Sequence, residues 1–163
     1  MTRTRSVHIP ADGWFRAAVP VRFRDLDAMG HAHHTLPLIY LEETRAAFWR
    51  ELKGDASIDV IDYVMAEITL RFHARILYPS SVTVGLAVSG IGTKSFTMDF
   101  ELHGADGTLL SSGRAVQICY DYEAERSKPI GAADRAVLEA WLVRSQNSSA
   151  IPAETAPIIP PST

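Results

Sequence analysis

The chain has 163 residues, which fits one domain of ordinary size. Hydrophobic residues make up 47% and charged residues 21%, so a core can form and wholesale disorder is excluded. A formal net charge of -3 argues against a general nucleic-acid binder or a protein that coats anionic membranes.

The opening MTRTRSVHIPADGW carries arginines but no apolar stretch of the secretory kind, so no signal peptide is expected and the cytoplasm is the default location. No run of about 18 apolar residues offers a spanning helix. Residues 1–13 read as an N-terminal arm. The first strand follows, with Phe15, Ala17, Val19, Val21 and Phe23 alternating with Arg16, Ala18, Pro20, Arg22 and Arg24. Pro20 marks it as an edge. The polar, Gly-punctuated segment DLDAMGHAHHT is a loop. From Leu36 to about Leu52 the positions Leu38, Leu41, Arg45, Phe48 and Leu52 recur at spacings of three and four, which predicts one long helix. Thr35 is placed to cap it, Pro37 is tolerated in its first turn, and Gly54 stops it.

Beyond the helix the chain alternates almost throughout. Ile68, Leu70, Phe72, Ala74 and Ile76 predict a second strand with Arg71 and Arg75 on its opposite face. Val82 to Val88, Phe96 to Leu102 and Leu109 to Tyr120 predict three more, joined by short Gly-containing turns and therefore antiparallel. A short helix near Ala132–Val143, with Val137, Leu138 and Trp141 inward, closes a domain that spans residues 14–145. The tail 146–163 is rich in Ser, Pro and Ala and reads as disordered. One helix can cover only one sheet face, so the other face and the edges call for a partner and predict a homo-oligomer.

The chemistry is densest between the first strand and the long helix, in Arg24-Asp25-Leu26-Asp27-Ala28-Met29-Gly30-His31-Ala32-His33-His34-Thr35. A helix N-terminus presents unpaired amides and a partial positive charge, which can hold a developing oxyanion. An adjacent carboxylate can act as base or nucleophile. Both halves of an acyl-transfer site are thus present. The bland alternative for Asp27 is a carboxylate that caps loop amides. His31, His33 and His34 crowd into four residues and diverge too much for one tetrahedral ion, so no metal site is expected. Cys119, the single cysteine, cannot form an intrachain disulfide and reads as a quiet strand residue.

The block VRFRDLDAMGHAHHTLPLIYLEETRAAFW resembles the opening of the 4-hydroxybenzoyl-CoA thioesterase-like family of hotdog proteins. Asp25, Asp27, Gly30, His31, His34, Glu42, Glu43 and Arg45 stand in register with that family's motif. The later strands are similar too, as are Gly92-Thr93-Lys94-Ser95-Phe96, Asp106-Gly107 and Pro129-Ile130, so the resemblance runs from about Trp14 to Leu142. It implies an α+β hotdog fold, one long central helix wrapped by a five-stranded antiparallel sheet. It also implies hydrolysis of an acyl-CoA thioester to free acid and CoA. The family's catalytic acid matches Asp27, and its oxyanion amide matches the backbone N–H of His34. Gly30, His31 and Thr35 then support the loop and the oxyanion position, and His34 can add a side-chain role in orienting water. Asp25 is structural, holding the loop or pairing with Arg24 or Arg45. In other hotdog branches a helical carboxylate is catalytic, which makes Glu43 and Glu42 the second-choice acids beside an ion-network reading. Lys94 and Ser95 match the hairpin that meets the nucleotide end of CoA, and Arg71 and Arg75 can join them. Tyr40, Phe48 and Trp49 read as core or pocket wall.

The chain departs from the family at three places. His33-His34 replaces the usual Asn pair, Pro37 an aromatic, and Ala74-Arg75 an Arg/Lys-Pro. The implied substrate is acyl-CoA, with no cofactor beyond the CoA it carries. The implied assembly is a homodimer or homotetramer with the active site at a subunit interface. Two other functions fit the fold: an acyl-thioester hydratase or dehydratase, and a non-catalytic acyl-CoA or acyl-carrier-binding module.

Overall fold

The computed structural model describes residues 8–53 and 62–143. The stop at Gly54, the tail 146–163 and the first part of the N-terminal arm lie outside the described residues. The strands are β1 (Phe15–Pro20), β2 (Tyr63–Phe72), β3 (Ser81–Ile91), β4 (Ser95–Gly104), β5 (Leu109–Asp121) and β6 (Arg126–Ser127). The helices are α1 (Leu36–Lys53) and α2 (Ala132–Ala140). The long strands pair antiparallel in the order β1-β3-β4-β5-β2, and β6 adds a two-residue pairing to β5. The five expected strands are therefore present, with a short sixth beside them.

The inward face of the sheet is read directly from the register. Phe15 lies opposite Leu86, Leu86 opposite Phe100, Phe100 opposite Gly113, and Gly113 opposite Leu70. Cross-strand partners share a face, so this row and its neighbours two residues on form one apolar surface. α1 lies across it, chiefly over β1 and β3. Its buried residues Leu36, Pro37, Tyr40, Leu41, Thr44, Arg45, Phe48 and Trp49 recur at the helical spacing. Phe48 meets Phe15 and Trp141 edge-on, and Trp49 stacks on Tyr63 at 5.1 Å between ring centroids. At its C-terminal end α1 is tied to α2: Asp134 accepts from Lys53 Nζ at 3.0 Å and from the Tyr63 hydroxyl. Burial and that carboxylate hold the Tyr63 hydroxyl far above its ordinary pKa, so it stays a donor.

Two strands end earlier than their alternation suggests. β1 stops at Pro20, and Phe23 points into solvent at 76% exposure instead of inward. The cause is local. The Arg22 N–H is taken by the Asp25 carboxylate at 2.8 Å, which turns Phe23–Asp25 into one turn of 3-10 helix. β2 stops at Phe72, where the N–H groups of His73 and Ala74 both donate to the Leu110 carbonyl. The chain from Ala74 to Leu77 then leaves the sheet and pairs with the site loop, while Ile76 stays buried.

Candidate active site

The loop between β1 and α1 is a small hairpin. Leu26 bridges Ala32, the Asp27 N–H donates to the His31 carbonyl at 3.0 Å, and the Gly30 N–H returns to the Asp27 carbonyl at 3.1 Å. Gly30 sits at φ 77, a left-handed turn conformation in which a side chain would be strained. A second ribbon pins the hairpin to the body. Ala32 donates to the Ile76 carbonyl at 2.9 Å, and His31 bridges Leu77. The loop thus has defined hydrogen bonds on both sides.

Asp27 opens the turn and faces His31 across it. Its Oδ1 accepts the Met29 N–H at 2.8 Å, the capping role expected of a loop aspartate. Its Oδ2 lies 3.7 Å from His31 Nδ1, and the side chain is 16% exposed. One carboxylate oxygen therefore braces the turn. The other has an imidazole beside it.

Thr35 stands immediately before α1, and His33 serves its amide. The His33 carbonyl accepts the Leu36 N–H at 2.9 Å, and His33 Nδ1 accepts the Thr35 N–H at 3.4 Å. The Thr35 hydroxyl lies 2.9 Å from that same nitrogen, so it serves the loop through His33. Pro37 brings no N–H, and the Leu38 N–H returns to the Thr35 carbonyl. The His34 N–H, on an exposed residue, has no partner among the described residues. The first turn of α1 holds no acidic side chain to neutralise its positive end. The His34 imidazole lies against that of His33, 4.0 Å between centroids.

Residues 21–154 match the model of one protein family, described as the thioesterase-like superfamily. The chain belongs to that superfamily. No curated protein matches it. Among solved structures, this thioesterase-like chain is similar to a thioesterase from Thermus thermophilus complexed with coenzyme A and Zn. The identity is 28%, the TM-score 0.71, and 79% of this chain and 94% of that chain are covered. A predicted thioesterase from Bacillus stearothermophilus gives a TM-score of 0.73 at 23% identity, covering 79% of this chain and 96% of that one. A 1,4-dihydroxy-2-naphthoyl-CoA thioesterase from Synechocystis gives 0.68 at 18%, covering 77% and 96%. The last two show the shared hotdog fold.

The remaining candidates of this thioesterase-like site divide. Glu43 is held by Arg22 at 3.1 Å, and Glu42 by the buried Arg45, so both helical carboxylates are engaged in ion pairs. Arg45 also donates to Gln117 at 2.6 Å, and its burial lowers its pKa. Asp25 pairs with neither Arg24 nor Arg45: its carboxylate accepts from Tyr40 and from the Arg22 amide. Tyr40 was legible only as core, yet a buried tyrosine hydroxyl needs a partner, and that need pointed to a nearby acid. Arg71 lies opposite Ser112, which lies opposite Glu101, at the end of the sheet that holds the loop. Arg75 is next to Ile76, whose carbonyl pins that loop. Lys94 and Ser95 begin β4 at the other end, about 20 Å from Glu101 at the usual strand rise of about 3.3 Å per residue. Lys94 bonds Ser127 there, at 3.2 Å. Within one chain the structure does not bring the four CoA candidates together. Among the described residues no group of three or more His, Cys, Asp or Glu could hold a metal ion, and no helix is long and apolar enough to cross a membrane.

Proposed function

We propose that this chain hydrolyses an acyl-CoA thioester in the manner of the 4-hydroxybenzoyl-CoA thioesterase-like proteins it resembles. The observation that carries the reading is the His34 N–H, left without a partner at a helix start, on the same pinned loop as the half-sheltered Asp27 carboxylate. The likeness to a thioesterase that binds coenzyme A supports it.

The chemistry follows from these groups. The His34 N–H and the dipole of α1 hold the thioester oxygen as negative charge develops on it. Asp27 Oδ2 either attacks the carbonyl carbon, forming an anhydride that water then opens, or takes a proton from the water that attacks. In both routes the C–S bond breaks and CoA leaves as a thiolate that is reprotonated. CoA enters only as part of the substrate. Arg71 and Arg75 serve its nucleotide from the chain that supplies Asp27, while Lys94 and Ser95 serve it from a neighbouring subunit. The open edge of β2, with Met65 and Phe72 at 38% and 53% exposure, suits such an assembly of two or four copies.

The test is thiol release from a panel of acyl- and aryl-CoA esters. Wild type should release thiol, and Asp27→Ala should lose at least about 100-fold in kcat. After a single turnover in heavy-oxygen water, label in the Asp27 carboxylate identifies direct attack in which water opens the anhydride at the Asp27 carbonyl. Binding of acyl-CoA without release from any ester would replace the enzyme with a binding module.

A further inference from the structure

Asp25 is the member of the Asp-x-Asp pair that the proposed chemistry leaves unused, yet both walls of the site loop are tied to it. We propose that Asp25 and Tyr40 are positioning residues that aim the His34 N–H and the Asp27 carboxylate at the substrate, an inference that rests on the thioesterase reading. The Tyr40 hydroxyl donates to Asp25 Oδ2 at 2.7 Å, and the Arg22 N–H donates to the same oxygen at 2.8 Å. The Asp25 carbonyl accepts the His33 N–H at 2.9 Å. One buried residue, 6% exposed, therefore joins three parts of the molecule: the second turn of α1, the chain just past β1 and the residue before His34.

The direction of each bond matters. Tyr40 is fully buried on a rigid helix, so its hydroxyl is a fixed point. Burial, and then the bond to Asp25, hold that hydroxyl far above its ordinary pKa, so it donates throughout the working range. With Asp25 anchored, its carbonyl fixes the His33 amide plane, and the next N–H along the chain is that of His34. Two residues after Asp25 the same strand of the hairpin delivers Asp27. Moving a catalytic group by about 1 Å can cost about 100-fold in rate without touching the chemistry itself.

The geometry also separates the two aspartates. Both donors to the Asp25 side chain converge on one oxygen. An asparagine amide oxygen can accept both, so position 25 needs an acceptor and no charge. Asp27 needs its charge in either route.

The experiment compares Tyr40→Phe, Asp25→Asn, Asp25→Ala and Asp27→Asn in the full chain, with melting temperatures alongside. Tyr40→Phe and Asp25→Ala should lower kcat about 10- to 100-fold with KM within about twofold. Asp25→Asn should keep kcat within about threefold and leave the pH profile in place, while Asp27→Asn loses activity. Should Asp25→Ala fail to fold, Tyr40→Phe, which removes a single oxygen, carries the comparison with Asp25→Asn. Wild-type kcat in Tyr40→Phe overturns the proposal, as does an Asp25→Asn variant as inactive as Asp27→Asn. Amide exchange at His33, whose N–H the Asp25 carbonyl holds, gives a readout that needs no substrate. It should quicken in Tyr40→Phe, and unchanged exchange overturns the proposal even if no ester is hydrolysed. Thiol release absent from wild type, with exchange responding as expected, would instead sink the thioesterase reading and keep the strut.

Discussion

At His33 an imidazole takes the place that a hydroxyl or a carboxamide takes at most helix starts. Its Nδ1 can accept only while unprotonated, and it serves both the Thr35 amide and the Thr35 hydroxyl. In the sequence Thr35 is the expected cap, because threonine is a common capping residue and histidine is not. In the structure Thr35 stands immediately before α1, which begins at Leu36, and the His33 imidazole adds an acceptor for the Thr35 amide. His33→Ala should cost about 0.5–1 kcal/mol in urea unfolding, and His33→Asn should recover most of it. An unchanged midpoint in His33→Ala would show that the imidazole does not cap. Asp27 is the opposite case: the capping and catalytic readings both describe it, one for each carboxylate oxygen.

Among the elements, the order of strands and the long helix were legible because their periods of two and of about 3.6 are clean. The ends of β1 and β2 were not, because alternation carries on past the point where backbone partners change. Past β1 the Val21 amide still bonds the Ser80 carbonyl, and a side chain, Asp25, takes the Arg22 amide. At β2 one carbonyl, that of Leu110, takes two. The same elements contain a position where only glycine fits. Gly113 lies on β5 between β2 and β4, and a Cβ there would stand 2.0 Å from the Thr69 carbonyl oxygen and 2.5 Å from Phe100 Cζ. Neither can yield, as one is backbone in the sheet and the other a ring packed in the core. Gly113→Ala should therefore destabilise by at least about 2–3 kcal/mol, read by thermal or urea melts. A melt within about 1 °C of wild type would mean that the strands part more easily than the register implies.

Across the whole molecule, polar and apolar surface are sorted by face. The sequence left the outer sheet face and the sheet edges in need of a partner. That face carries its own pairs, Asp99 with Arg114 at 2.7 Å and Glu101 with His103 at 2.9 Å. Phe23, Met29, Leu77 and Tyr78 near the site loop and Met65 and Phe72 on β2 are exposed large apolar side chains, as are Ile39, Tyr122 and Leu142. The outer face makes a pH prediction of its own. His73 Nε2 lies 2.7 Å from Ser112 Oγ, on a residue 9% exposed. Burial, followed by the neighbouring Arg71 guanidinium, lowers the His73 pKa against the smaller opposing pull of Glu101. A lowered histidine pKa means that the folded chain takes up its proton later than the unfolded chain. Above the unfolded value, about 6.5, both states are neutral and the site costs nothing. As pH falls below that value the unfolded state gains protons first, so stability drops until the folded pKa is passed. The melting temperature of wild type should thus fall from about pH 7 to about pH 5 more steeply than that of His73→Gln, which keeps a hydrogen-bonding group but cannot titrate. Arg71→Gln should flatten the same limb by removing the second cause. Parallel curves for wild type and His73→Gln would assign the acid limb to other groups.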